Sequence, residues 1–298
     1  MDIMYLLLLQ EIREALGGVF DGLMLQITSM AEAVPTYLLF AAVYWCVDKR
    51  VGQYMGWNIS LACTWNQFLK AVCKVARPWT RDARIHPVEA AIAAASGYSF
   101  PSGHTARAAA TWGAAGHYAW KRGHDTNTVE LKRLGTVGRV LVLLILFSRN
   151  WLGVHTPQDV MASLGFGIVI MVVTDWLFAW VDKAPKRDIA VCAAGCILCF
   201  LPMLRVGVLS NAGAGMGILL GWLAERRWIR FETKGSAARK CLRFCVGAGI
   251  AVVILSVMRP VLALVLPGRY AGFFAAFAVG FYIMAGWPLL FWRWENTF

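Results

Sequence analysis

Charge is what this sequence has least of. Asp, Glu, Lys and Arg make up 15% of its 298 residues, where a soluble domain carries about 25%, and the shortage excludes an ordinary water-soluble fold. Acid is scarcer than base: 17 Asp and Glu stand against 29 Lys and Arg. Nowhere do the acids gather with histidine into a cluster that would ligate a metal, and no cofactor is expected. The chain does not open like a cleavable leader either. Its apolar run Met4 to Leu9 leads straight into Glu11, Arg13 and Glu14, so no signal peptide is expected. The eight cysteines lie within or beside apolar runs, where cysteine acts as a small hydrophobe. Cys192, Cys196 and Cys199 share a helix face but have no His or acid beside them, which argues against a zinc site.

What is present is apolar. Hydrophobic residues make up 59% of the chain, 14 of them Trp, and the mean hydropathy is +0.57. Runs at 31–47, 53–75, 102–120, 135–149, 157–181, 189–204, 211–223, 242–258 and 270–292 predict nine membrane helices, an all-α polytopic fold. Residues 1–30 carry Asp2, Glu11, Arg13, Glu14 and Asp21. They read as an amphipathic helix or helix pair at the interface. The net charge of +12 invites a nucleic-acid reading, but basic cytoplasmic loops explain it in a membrane protein, and no nucleic-acid partner is expected. With nine spans, basic stretches such as Lys49-Arg50, Lys121-Arg122, Lys132-Arg133 and Arg226-Arg227 fall on the inner side. The polar loops that follow the second and fourth spans then face outward. Gly213, Gly215, Gly217 and Gly221 have the spacing of a tight helix contact.

Three polar clusters interrupt this pattern. Lys70 and Arg77 are seven residues apart, on one face of a helix two turns long, with Pro78 after them. Pro101-Ser102-Gly103-His104 precedes the third run, with Ser102 placed to cap a helix and Gly103 letting a ligand approach backbone amides. Ser148 to Asp159 joins the fourth and fifth runs. There Thr156, Pro157 and Asp159 read as a helix start, and Asp159 can turn back to one nitrogen of His155. The other nitrogen is left unprotonated toward whatever Arg149 holds, which is how a nucleophile or general base is built. A cation, an imidazole and a carboxylate seldom stand together at that depth without function. Lys70, Arg77 and Arg149 with two histidines describe a phosphate pocket. Arg107, one turn beyond His104, and Lys74, on the Lys70 stripe, are further candidates to line it. His117 reads as an interior histidine.

In order and internal spacing, Lys-x6-Arg-Pro, Pro-Ser-Gly-His and Ser-Arg-x5-His-x3-Asp resemble the three signature motifs of the type 2 phosphatidic acid phosphatase superfamily, across residues 70–159. The resemblance implies a membrane phosphatase in which His155 attacks phosphorus to form a phosphohistidine, Asp159 orients it and His104 protonates the leaving oxygen. Lys70, Arg77, Ser102, Gly103 and Arg149 would bind the phosphate, with cations taking the role of a metal.

The resemblance leaves the substrate open. A pocket opening at headgroup level suits a lipid phosphate or diphosphate such as phosphatidate, a polyprenyl diphosphate or a sphingoid-base phosphate. Nine spans with two before the first motif also look like the glucose-6-phosphatase layout, which keeps a sugar phosphate as the alternative. Phosphotransfer to a second lipid and a non-catalytic lipid-phosphate binding module are the other readings. Three regions are expected: an interfacial segment 1–30, a phosphatase core 31–181 and a four-helix membrane extension 182–298. The expected setting is a bacterial plasma membrane with the site facing outside. The oligomeric state is not legible.

Overall fold

The computed structural model describes residues 2–206 and 209–297, and among these every regular element is helical. In chain order the helices are α1 (Asp2–Ala15), α2 (Asp21–Ser29), α3 (Ala33–Ala42), α4 (Lys49–Cys73), α5 (Pro78–Arg81), α6 (Glu89–Ile92), α7 (Gly103–Ala108), α8 (Ala114–Asp125), α9 (Val129–Trp151), α10 (Pro157–Lys183), α11 (Asp188–Val206), α12 (Leu209–Ala224), α13 (Ala237–Ala263), α14 (Gly268–Phe281) and α15 (Trp287–Thr297). Short π-helical stretches continue α3 to Val47, join α7 to α8 over Ala109–Gly113 and join α14 to α15 over Tyr282–Gly286.

The nine apolar runs are largely helical, but α4 stops at Cys73 and Arg77 is extended, so Lys70 and Arg77 do not share a helix face as expected. The expected count of nine spans is not supported either. Among the described residues, four helices are long and apolar enough to cross a membrane: Pro157–Lys183, Asp188–Arg205, Ala237–Ala263 and Gly268–Glu295. A fifth is added if Asp21–Ser29 and Ala33–Val47, bent by 52°, count as one. The shortfall has physical causes. α4 carries Gln53, Asn58, Asn66 and Lys70 along its length, and α12 is only 16 residues long. With several long apolar helices, this is a multi-pass membrane protein. The exposed side chains of α13, among them Val252, Val253 and Leu255, are suited to lipid and not to water.

The chain forms two compact units, neither continuous in sequence. The second comprises Tyr37–Trp65 and Ile170–Phe298. Its core is aromatic: Trp45, Trp57, Trp222, Tyr44 and Tyr54 are fully buried. Tyr44 and Trp45 donate to the carbonyls of Met284 and Ile283 at 2.9 and 2.8 Å. Buried Glu225 is neutralised by Lys49 at 2.9 Å and receives the Gln53 amide at 2.8 Å, as a charge at that depth requires. Here the glycine spacing does what it predicts. A β-carbon on Gly213 would lie 2.3 Å from the Phe273 carbonyl oxygen, and one on Gly217 would lie 2.2 Å from that of Phe277. Only glycine lets α12 and α14 approach this closely. Gly217→Ala is therefore expected to destabilise by about 3 kcal/mol, read as a lower Tm and a loss of monodisperse protein. Gly249→Ala, where nothing lies within 4 Å, is expected to be neutral.

The first unit comprises Met1–Thr36 and Asn66–Val169, described from residue 2. Its axis is α9, against which α1, α2, α7 and α8 pack. Gly116 on α8 meets Gly135 and Gly138 on α9, where added β-carbons would come within 2.6 to 3.1 Å of the facing helix. α1 fastens α5 and the loop that follows it. Asp2 pairs with Arg81 at 2.8 Å, Arg13 donates to the His86 carbonyl at 2.6 Å, and Gln10 accepts from the His86 amide at 2.7 Å. Within residues 2–30 the chain forms a helix pair, α1 tied to the Arg81–His86 stretch and α2 packed on α9.

Candidate active site

The turn between α9 and α10 is closed by its own sequence. The amides of Val154 and His155 both donate to the Arg149 carbonyl, at 3.2 and 3.3 Å, and the Asn150 side chain donates to the His155 carbonyl at 2.8 Å. Gly153 sits at φ +72, and a β-carbon there would come 3.1 Å from Pro87 Cα. The turn therefore needs glycine for both its backbone angle and its neighbour. α10 then starts with a reciprocal cap: Thr156 N–H donates to Asp159 Oδ2 at 2.8 Å, and Asp159 N–H donates to Thr156 Oγ1 at 3.4 Å.

This cap sets the histidine. His155 is buried, with its Nδ1 3.4 Å from Asp159 Oδ2. That distance is long for a hydrogen bond, because Oδ2 already receives the Thr156 amide and the Ser99 hydroxyl at 2.6 Å. On the other side, His155 Nε2 lies 3.1 Å from Arg77 Nη1. Arginine only donates, so Nε2 must present its lone pair and the ring proton must sit on Nδ1, facing the carboxylate. Burial is the main force holding His155 neutral. Together with the charges of Arg149, Arg77 and Lys70, and against the pull of Asp159, it brings the imidazole down to about 3.

A pH effect on stability follows. A group whose folded value lies below its unfolded one stabilises fully above the unfolded value, about 6.5, and that stability is lost as pH falls toward the folded value. Thermal stability is expected to fall by about 2 kcal/mol on acidification from pH 7 to pH 5. His155→Asn should flatten that slope, measured by Tm against pH.

Around this ring stand the other cations. Arg77 is buried and fully employed. Its Nε and Nη2 donate to the carbonyls of Gly97 and Ser96, both at 2.9 Å, and Nη1 also reaches the Val154 carbonyl at 3.0 Å. Burial lowers it to about 10 against the pull of Asp159, so it stays charged at neutral pH. Lys70 donates to the Tyr98 carbonyl at 2.6 Å.

Arg149 is different. It is completely buried, and only its Nη1 is bonded, to Thr28 Oγ1 at 2.9 Å. Its Nε and Nη2 have no partner, and neither has His104 Nε2. His104 is 4% exposed and within electrostatic reach of Arg149, Arg107, His155 and Arg77. Buried charged donors left unbonded are costly, and in a cationic cluster they mark room for an anion.

Ser102 is the N-cap of α7, accepting from Thr105 N at 3.3 Å. Its amide is spent on the Asp159 carbonyl at 3.0 Å. A β-carbon on Gly103 would meet Arg107 Nη1 and Asn66 Oδ1 only at 3.6 Å, so packing does not demand glycine there and the flank of the helix start stays uncovered. Arg107 donates to the Ala31 carbonyl at 2.6 Å while its Nη1 lies over Gly103. Lys74 is not gathered in: it ends α4 at φ +49, exposed.

Three contributors were not singled out in the sequence. Ser99 and Thr28 gave no signal, being lone hydroxyls remote in sequence from the groups they hold. Asn66 stands one helical turn before Lys70, and that spacing could have marked it; its amide reaches the Ser102 carbonyl at 3.4 Å. Among the described residues, no group of three or more His, Cys, Asp or Glu is arranged to hold a metal.

These features define an all-helical, multi-pass membrane protein with a buried cationic centre around two histidines. Comparison with protein families makes the class specific. Residues 50–185 match the PAP2 superfamily, and residues 209–296 match the PAP2 superfamily phosphatase, transmembrane extension. At superfamily level these two matches support a membrane phosphatase with a transmembrane extension. Neither the curated proteins nor the solved structures include a match to the chain.

Proposed function

We propose that the protein hydrolyses the phosphate ester or diphosphate of a membrane amphiphile through a phosphohistidine on His155, without a metal. The observation that carries this reading is the set of buried nitrogens without partners, Arg149 Nε and Nη2 and His104 Nε2, in the same cluster as a lone-pair-bearing His155 Nε2. A tetrahedral anion held there would satisfy the Arg149 fork, which matches two phosphoryl oxygens. It would also draw Arg77 Nη1 off the imidazole, freeing Nε2 to attack in line.

In the first step the phosphorus–Nε2 bond forms as the bond to the leaving oxygen breaks, and that oxygen takes a proton from His104. Asp159 holds the Nδ1 proton and balances the charge gained by the ring. In the second step water gives a proton back to His104 and attacks phosphorus, releasing phosphate and restoring His155. Catalysis rests on positioning and on charge placed before the reaction begins.

A lipid is favoured over a soluble sugar phosphate because the site stands at the polar ends of helices carried in a membrane. We further take α4, α9 and the α7–α8 pair to cross the bilayer, as the four most apolar helices do. At 1.5 Å per residue each exceeds the roughly 30 Å hydrocarbon core. The basic stretches at 121–122 and 132–133 then face the cytoplasm and His155 the opposite side.

The test is phosphate release by the purified chain in detergent with chelator present. It would compare phosphatidate, a polyprenyl diphosphate, a sphingoid phosphate and glucose phosphate. Chelator-resistant turnover of one of the lipids is expected. Release from glucose phosphate alone, or from none of the four, would overturn the reading.

A further inference from the structure

At the end of α9 remote from Arg149 the first unit carries a second feature that the phosphatase chemistry does not use. A groove of about 580 Å³ runs along α9 beside the end of α8, lined by Trp120, Lys132, Arg133, Val137, Val140 and Leu141 among others. Its size lies within the roughly 300–1,000 Å³ of small-molecule sites. Its walls are almost wholly apolar and remain open to the side, with Val137 53% and Val140 46% exposed. From Arg133 to Leu141 it runs about 12 Å along the helix, and its charged lining residues, Lys132 and Arg133, stand at one end. Lys132 donates to the neutral Asn127 carbonyl oxygen at 3.0 Å. Among the described residues neither Lys132 nor Arg133 is paired with a carboxylate. Arg139 stacks on the Trp120 ring at 4.0 Å and fixes that wall.

We propose that this groove binds an anionic phospholipid, its phosphate at Lys132 and Arg133 and an acyl chain along Val137, Val140 and Leu141. A soluble anion would use the two cations but gain nothing from the apolar wall. A zwitterionic lipid would use the wall but not the excess positive charge. Only an anionic amphiphile answers both. Arg133 and Arg149 are 16 residues apart on one helix, about 24 Å, so the two anion sites do not overlap and this one does not depend on His155 chemistry.

The test uses the full chain in neutral detergent and compares binding of dioleoyl phosphatidylglycerol and dioleoyl phosphatidylcholine by competition against a fluorescent lipid. Phosphatidylglycerol should be preferred. At roughly one kcal/mol for each basic residue near a membrane surface, Lys132→Ala with Arg133→Ala should weaken phosphatidylglycerol about thirtyfold and leave phosphatidylcholine unchanged. Arg133 is exposed and Lys132 half-buried, and alanine keeps the Cβ of each, so the variant should keep the parent Tm. Exchanging the cations, Lys132→Arg with Arg133→Lys, should restore binding. Val140→Trp, which fills the groove, should weaken both lipids, and glycerol 3-phosphate should not displace either. Equal affinity for the two lipids, unchanged phosphatidylglycerol binding in the double alanine variant, or displacement by glycerol phosphate would each overturn the proposal.

Discussion

Replacing His155 by alanine is expected to lower turnover by at least about 10⁴-fold while leaving inorganic phosphate or vanadate bound within a few-fold of the parent affinity. The size of the loss follows from removing the atom that bonds to phosphorus, since nucleophile deletions elsewhere cost this much or more. Retention of binding follows because the charges that attract the anion belong to Lys70, Arg77, Arg107 and Arg149, none of which is carried by the imidazole. His155 supports Arg77 Nη1 on one side only, and Nη1 keeps the Val154 carbonyl at 3.0 Å. The guanidinium should therefore hold its place in the variant. Steady-state phosphate release together with vanadate affinity measures both halves. Activity within tenfold of the parent would remove His155 from the reaction.

The second large effect concerns Arg149, and it separates function from structure by sign. Arg149→Met is expected to reduce kcat/KM by about 10³-fold, the scale of losing a preorganised donor to developing charge. The same change is expected to raise Tm. In the free protein this side chain is fully buried, bonded through Nη1 alone and unsatisfied at Nε and Nη2. An apolar chain of similar length removes a buried charge whose desolvation the Thr28 hydroxyl and the charge of Glu32 offset only in part. A residue kept only for packing would lose Tm along with activity. A residue kept for an anion loses activity and gains Tm. Arg149→Lys should stay close to the methionine variant in activity, because one ammonium cannot span two phosphoryl oxygens.

What the sequence made legible was local. The cap at Ser102, the cap reciprocated between Thr156 and Asp159, the approach of Asp159 to His155 and the close contact at Gly213 and Gly217 all depend on residues a few positions apart. Spacing along a helix or turn decides such arrangements. The rest depends on which segments meet, and hydropathy carries no record of partners. Thr28 holds Arg149 across 121 positions of sequence and Ser99 holds Asp159 across 60. Asp21 accepts from the Trp151 indole at 2.9 Å, so the N-terminal helix pair read as an interfacial segment also braces the site. Tyr37–Trp65 groups with residues 170–298, an association that no reading in chain order draws. Span counting faltered for a related reason. α4 and α9 are long enough, but the polar residues that build and brace the site lower their hydropathy.

One measurement bears most directly on the central claim that His155 Nε2 attacks phosphorus. The chain would be mixed with a substrate carrying radioactive phosphorus, quenched within a turnover into alkaline denaturant and digested. The account predicts an alkali-stable, acid-labile label on the peptide containing His155, absent from His155→Ala. A label on another residue, or full turnover with no protein-bound phosphorus at any quench time, would contradict it.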